Sequence, residues 1–211
     1  MTGVNKSILE KVFREILDRE TRYDDNVIYV TEIVGCIRRS WFRRKYGRDR
    51  ITKDMLLGLN IHSWILPVVM EKLMYYDLNV EYEKPVSVHF TREGFILAGR
   101  VDLAGEDYII ELKVTERTEP TRAWIRQANL YADILDKSRF YIVLVGNGVK
   151  VYKYNRDKNL ANYLLGLAVE YYKCITEKRI PEIVDRDECK YCEYKHICKR
   201  EVELYKWLEK L

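Results

Sequence analysis

The sequence predicts an α/β fold in which a central mixed sheet is flanked by helices, and three observations carry that expectation. Apolar residues recur at helical spacing through the first third of the chain. They alternate with polar residues from position 80 to 115, and the pattern then switches between helical and strand periods up to position 178. With 211 residues, 47% hydrophobic and 33% charged, the chain suits one well-buried domain with attachments and is too short for two of full size. Residues 1–211 are therefore expected to form a single unit: a helical segment over 1–50, a core over 52–178 and a tail over 181–211.

Each element has its own signal. Ile8, Leu9, Val12, Phe13, Ile16 and Leu17 share one helical face, so an amphipathic helix is expected over residues 5–20. A second helical region follows Thr31 and carries Cys36 and a basic, aromatic-rich segment ending near Tyr46 and Gly47. From Thr52 to near Tyr76 a third pattern runs through Leu56, Leu57, Ile61, Trp64 and Ile65, and Pro67, which lacks an N–H, is expected to kink or split it. Val80, Tyr82, Val86, Val88 and Phe90 alternate as a strand, and residues 94–103 and 107–115 form two more around a turn at Ala104-Gly105-Glu106-Asp107. Asp102 is thereby expected to end one strand, with Glu111 inside the next. Residues 119–136 read as helix, and residues 139–145 and 149–154 flank the hairpin signal Gly146-Asn147-Gly148. A long helix is expected from Lys158 to Lys178, closed before Pro181, ahead of a short cysteine-bearing tail.

The chemistry concentrates in Gly99-Arg100-Val101-Asp102 and Glu111-Leu112-Lys113. The turn between the two strands brings Asp102 and Glu111 to one edge of the sheet, and the strand period of two sets Lys113 on the same face as Glu111. Two carboxylates can hold magnesium or manganese, which acidifies water and neutralises charge on a phosphodiester, while the lysine polarises the attacking water or stabilises the developing oxyanion. An isolated Glu-x-Lys would more simply be a solvent-facing Glu and Lys flanking a buried Leu112. Here it follows the core-like Ile109-Ile110, and a Gly-x-Val-Asp ends the strand before it.

These motifs resemble the PD-(D/E)xK nuclease superfamily, with its restriction-endonuclease-like core, and specifically the RecB-like branch. Gly58-Leu59-Asn60-Ile61-His62 matches that branch's Gly-x-x-x-His element, and Gln127-Ala128-Asn129-Leu130-Tyr131 its Gln-x-x-x-Tyr element. The resemblance implies metal ligation by His62, Asp102, Glu111 and the backbone carbonyl of Leu112, with Lys113 activating water. It implies that Gln127 and Tyr131, one helical turn apart, position the lysine or the DNA backbone.

The five cysteines are Cys36, Cys174, Cys189, Cys192 and Cys198. No apolar run is long enough to span a bilayer and the N-terminus carries no apolar signal core, so the expected location is cytoplasmic, where cysteine spacing reads first as metal ligation. Cys189-x-x-Cys192 and Cys198 supply three thiolates; Cys174, between Tyr172 and Ile175, reads as a packed residue, leaving Cys36 as the fourth. Spacing alone leaves zinc and iron-sulfur open, with His196 a further zinc donor. The layout is similar to that of RecB-like nucleases whose termini are stapled by a [4Fe-4S] cluster, with [2Fe-2S] in some members. Together with the Thr31-Glu32-Ile33-Val34-Gly35-Cys36-Ile37-Arg38-Arg39 run, it resembles the CRISPR-associated exonuclease family, the fourth of the Cas families. Ile37 replaces the proline many members carry. That resemblance implies 5' to 3' cleavage of single-stranded DNA, trimming of spacer precursors and CRISPR integrase proteins as partners; a repair, recombination or virus-encoded exonuclease would share the chemistry. A zinc-stapled nucleic-acid-binding protein without catalysis is the rival from another class. Assembly into oligomers is left open.

Net charge is only +4, so any argument for nucleic acid rests on clustering. Arg38, Arg39, Arg43, Arg44, Lys45, Arg48 and Arg50 lie together with Trp41, Phe42 and Tyr46 among them. Arg38, Arg39, Arg43 and Arg44 are candidate phosphate contacts and Trp41 or Tyr46 candidate stacking platforms, with Trp41 and Phe42 alternatively core. Gln127 is the only glutamine beside abundant Lys, Arg and Glu, a bias that points to a thermophilic source.

Overall fold

The structure is a computed structural model and describes residue 7 and residues 24–47, 53–183, 189–190 and 192–198. The amphipathic helix expected over 5–20 lies outside the described residues, as do Arg48 and Arg50 and the side chains of 53–60 and His62.

Along the chain run β1 (Val27–Tyr29), α1 (Val30–Ile33), α2 (Ile37–Tyr46), α3 (Lys53–Tyr75), β2 (Glu81–Phe90), β3 (Phe95–Ala104) and β4 (Tyr108–Val114). Then come α4 (Arg122–Ile134), β5 (Arg139–Gly146), β6 (Gly148–Asn155) and α5 (Lys158–Thr176). The sheet is mixed: β2 pairs along one edge of β3, while β1 and β4 share its other edge, and β5 and β6 follow β4. β1 with β3 and β4 with β5 are parallel, and the remaining pairs are antiparallel. A parallel pair cannot be joined by a tight turn, so α4 serves as the crossover from β4 to β5.

Three expectations are corrected. The region after Thr31 is helical but not one helix: α1 ends at Ile33, and Cys36 is the extended residue that caps α2, which Gly47 ends at φ 80°. Of the two outcomes expected at Pro67, a kink or a split, the split does not occur: α3 is continuous, and apolar residues on both sides, Ile65, Leu66, Val69 and Leu73, pack on the same sheet face. Asp102 does not end its strand, since β3 continues to Ala104.

Two apolar layers sandwich the sheet. The larger joins Ile109, Phe140, Ile142 and Leu144 to Ala128, Leu130 and Tyr131 of α4 and to Leu164, Ala168 and Tyr171 of α5. The smaller lies under α3 and joins Leu66, Leu103 and Leu112. α4 begins at Thr121, whose Oγ1 accepts from Trp124 N at 3.3 Å, a cap that satisfies one of the first-turn donors. Asn129 then locks α4 to the start of α5: its Nδ2 donates to the Asp157 carbonyl at 2.8 Å and its Oδ1 accepts from Asp157 N at 2.7 Å.

The sheet is not evenly knit. Three strands pair with β3, two of them on one edge: β1 along residues 96–98 and β4 only at Leu103↔Ile110 and Ala104↔Ile109. Between these contacts, residues 99–102 have no strand partner on that edge among the described residues. On the other edge the β2 ladder skips Glu83↔Asp102, where Glu83 takes φ 49°. Val101 accordingly belongs to the larger core and Leu103 to the smaller, so the side-chain alternation flips at Asp102.

Candidate active site

Period-two alternation along β4 puts Ile109, Glu111 and Lys113 on the face covered by α4, with Ile110 and Leu112 on the α3 face. Glu111 is fully buried, and its Oε2 accepts from Lys113 Nζ at 2.9 Å. The same ammonium donates to Gln127 Oε1 at 3.2 Å. Gln127 Nε2 in turn donates to the Tyr131 hydroxyl at 3.5 Å, one turn further along α4. That hydroxyl accepts from the backbone N–H of Arg100 at 3.4 Å, in the stretch of β3 where the ladder is open. β3, β4 and α4 are thus joined through the side chains of the site itself.

Asp102 closes the gap. Continuing the β3–β4 register by one step from Leu103↔Ile110 sets Asp102 opposite Glu111. There the strands have splayed, and Asp102 Oδ2 accepts from Leu112 N at 2.7 Å. This bond satisfies a buried N–H and fixes the carboxylate against β4. Gly99 is required nearby, because a Cβ built on it would lie 2.5 Å from Tyr131 Cε1. Only a residue without a side chain lets the ring reach over β3 to the Arg100 N–H.

Electrostatics fix the protonation pattern. Burial alone would depress the Lys113 ammonium, but Glu111 and then Asp102 outweigh it and raise it above the ordinary lysine value. Burial, and secondarily Glu111, pushes the Tyr131 phenol far above its usual range. At neutral pH Lys113 is therefore a cation and Tyr131 a neutral phenol. Asp102 and Glu111 set two carboxyl side chains beside one ammonium in a buried position, and hard oxygen donors of this kind suit magnesium or manganese. His62 lies on α3, but its side chain is outside the described residues. Among the described residues no three His, Cys, Asp or Glu side chains are grouped closely enough to hold a metal ion.

The cysteines gather around α2. The Cys36 thiol, raised by burial, also feels Cys189 and Cys192, and Arg38 Nη1 approaches Cys198 Sγ at 3.8 Å. Cys174 stands apart on α5: its thiol bonds Glu170 Oε1 at 3.5 Å and is pushed up to about 11 by burial, and its carbonyl accepts from Trp41 Nε1. Cys36 rather than Cys174 is thus the one beside the tail, and the tail cysteines are not drawn together with it into a metal-holding group among the described residues.

The basic helix differs from its expected role. Arg44 is buried in a bidentate pair with Glu32 at 2.6 and 2.7 Å, and it also donates to the Val27 carbonyl. Trp41 packs in the core, the second of its two readings. Arg39 and Arg43 hold Glu193 of the tail at 2.9 and 3.0 Å, and Arg38 Nε donates to the Pro181 carbonyl at 2.6 Å. Tyr46 stays half exposed, stacked on Phe42 with Lys45 over its ring. Glu32, Glu193 and Tyr194, which stacks on Phe42, had no sequence signal, because each is defined by a partner more than ten residues away.

No protein-family model matches the sequence, and no curated protein does. Solved structures do match. SSO0001 superposes with a TM-score of 0.66 at 20% identity, covering 94% of this chain and 98% of that one. The alkaline exonuclease LHK-Exo of Laribacter hongkongensis gives 0.54 at 13% identity over 72% of this chain and 89% of its own. Its complex with dAMP gives 0.52 at 12% identity over 72% and 88%. The chain therefore has the fold of structures that include an alkaline exonuclease: a central mixed sheet flanked by helices. Among the described residues no helix is long and apolar enough to cross a membrane.

Proposed function

We propose that this chain is a divalent-metal-dependent deoxyribonuclease, and the observation that carries the reading is the Asp102, Glu111, Lys113 and Gln127 constellation at the open β3–β4 junction. Magnesium or manganese, held by Asp102 and Glu111 with His62 and the Leu112 carbonyl, supplies acidified water and charge neutralisation when bound. The protein's own part is positional. Asp102 is fixed by Leu112 N–H, and Lys113 is kept charged by its carboxylate neighbours, so it acts as a hydrogen-bond donor to the attacking water or the developing oxyanion. Gln127, anchored by Tyr131, aims the ammonium.

DNA is the proposed substrate, in keeping with the dAMP bound by LHK-Exo. The finer reading is 5' to 3' exonuclease action on single strands, with a role in CRISPR spacer trimming beside integrase proteins. It rests on motif resemblance, as does a [4Fe-4S] cluster on Cys36, Cys189, Cys192 and Cys198. Phosphate contacts are reassigned away from Arg44, and of the two stacking candidates, Trp41 and Tyr46, the exposed Tyr46 is retained.

Wild type and Asp102→Ala are to be assayed with manganese on single-stranded DNA labelled at either end. The substitution is expected to cost at least ~100-fold in rate. Equal cleavage by both proteins sinks the site, and the label released first reports polarity. Anaerobically purified protein is expected to contain iron and sulfide; zinc alone overturns the cluster.

A further inference from the structure

Gln127 aims Lys113, so whatever holds α4 at this point of its turn also sets the lysine. The residue beside it, Arg126, does not face the sheet. Its Nη1 reaches back to the Val34 carbonyl at 3.2 Å. Val34 is buried, closes α1 as its C-cap, and stands two residues before Cys36, the cap of α2. A guanidinium donating to a carbonyl is a charge-assisted hydrogen bond, stronger than one between neutral groups.

We infer that Arg126 is a positioning residue: it ties α4 to the Val34–Cys36 segment and thereby holds Gln127 against the Lys113 ammonium. The proposal rests on the nuclease reading of the site but concerns a residue outside the acidic cluster. Along a helix, neighbouring side chains differ by about 100°. Arg126 therefore faces α1 while Gln127 faces β4, and one side chain anchors the rotation that the other uses. Thr121 at the start of α4 and Asn129 further along fix the helix along its length. Arg126 joins it to α1 at the level of the lysine.

The test is a double-mutant cycle in steady-state cleavage of a single-stranded oligonucleotide with manganese. Arg126→Ala is expected to lower kcat about tenfold and leave KM within about twofold, with Arg126→Lys recovering about half of the loss. In a Gln127→Ala background the same Arg126→Ala change is expected to cost less than about twofold, since the residue it works through is gone. Amide hydrogen exchange over residues 127–131 is expected to quicken in Arg126→Ala and not in Arg126→Lys, a readout independent of activity. Wild-type kcat in Arg126→Ala overturns the proposal. So does an undiminished effect in the Gln127→Ala background, or a raised KM at constant kcat, which would make Arg126 a DNA contact. Arg126→Met carries the same comparison if the alanine variant does not fold. Lys113→Ala is the control: wild-type cleavage by that variant removes the nuclease reading of the site, whereas loss of cleavage there with an unaffected Arg126→Ala removes only the positioning role.

Discussion

Two side chains decide more than their neighbours. Gly99 stands under the Tyr131 ring, so Gly99→Ala drives a methyl group into Cε1 at 2.5 Å. The ring must then lift from β3, weakening its hydrogen bonds to Arg100 N and Gln127. We expect a loss of about 1–3 kcal/mol in chemical denaturation together with slower cleavage. A loss below ~0.5 kcal/mol would mean the ring moves aside freely. Arg44 is the second. Its partner Glu32 also accepts from the Tyr171 hydroxyl at 3.0 Å and from Tyr29 N at 2.8 Å, so one buried carboxylate gathers β1, α2 and α5. Arg44→Ala leaves that carboxylate buried without its cation and is expected to cost about 3–5 kcal/mol. Arg44→Met with Glu32→Gln should cost less than the sum of the two single changes, and strict additivity in urea melts would refute a direct pairing.

At the scale of elements, the tail is seated on α2 by side-chain contacts. Glu193 takes both Arg39 and Arg43, its carboxyl held below the usual range by a backbone hydrogen bond and these two arginines against the opposing effect of burial. Tyr194 stacks on Phe42 and donates to the Gly47 carbonyl. Glu193→Ala frees two cations on α2 and is expected to destabilise the tail by about 1–2 kcal/mol, seen as faster amide exchange over residues 192–198. Unchanged exchange would mean that these ion pairs do not hold the tail. Freed arginines should also raise the salt sensitivity of DNA binding, because α2 would then present charges that the native chain spends internally.

Across the whole molecule, the site lies where the sheet changes its allegiance from one apolar layer to the other. β3 serves the larger core through Val101 and the smaller through Leu103, and the splay this requires opens the edge that Asp102 and Tyr131 fill. The opposite end of β4 is pinned by Asp107, which accepts from the Ser138 hydroxyl at 2.6 Å and from Arg139 at 2.6 Å. Ser138, then Arg139, lowers its carboxyl from 3.8 to about 2. A depressed carboxyl stabilises the fold above its unfolded value and loses that contribution as pH falls through the folded one. The stability gap between wild type and Asp107→Asn should therefore be full above pH 3.8 and close as pH approaches about 2. A gap that persists in stronger acid would assign the effect to packing instead of charge.

Local patterns were enough for much of this protein. The alternation through Val86 and Val88, the Gly146-Asn147-Gly148 turn and the periodicity of residues 119–136 each depend on neighbours a few residues away, and each became the element they signalled. The pairing of Glu111 with Lys113 was legible for the same reason, since a strand's period of two is a local property. What only the tertiary structure decided are the interactions between distant segments. The sequence marked Arg44 as a candidate phosphate contact and left Trp41 open between stacking and core, and Glu32 and the Cys174 carbonyl draw both inward. It marked Asp102 as a strand end, yet the site depends on β3 running past it and parting from β4. Charge and hydropathy report what a residue can bury. Which partner makes that burial favourable is settled only when the chain has closed on itself.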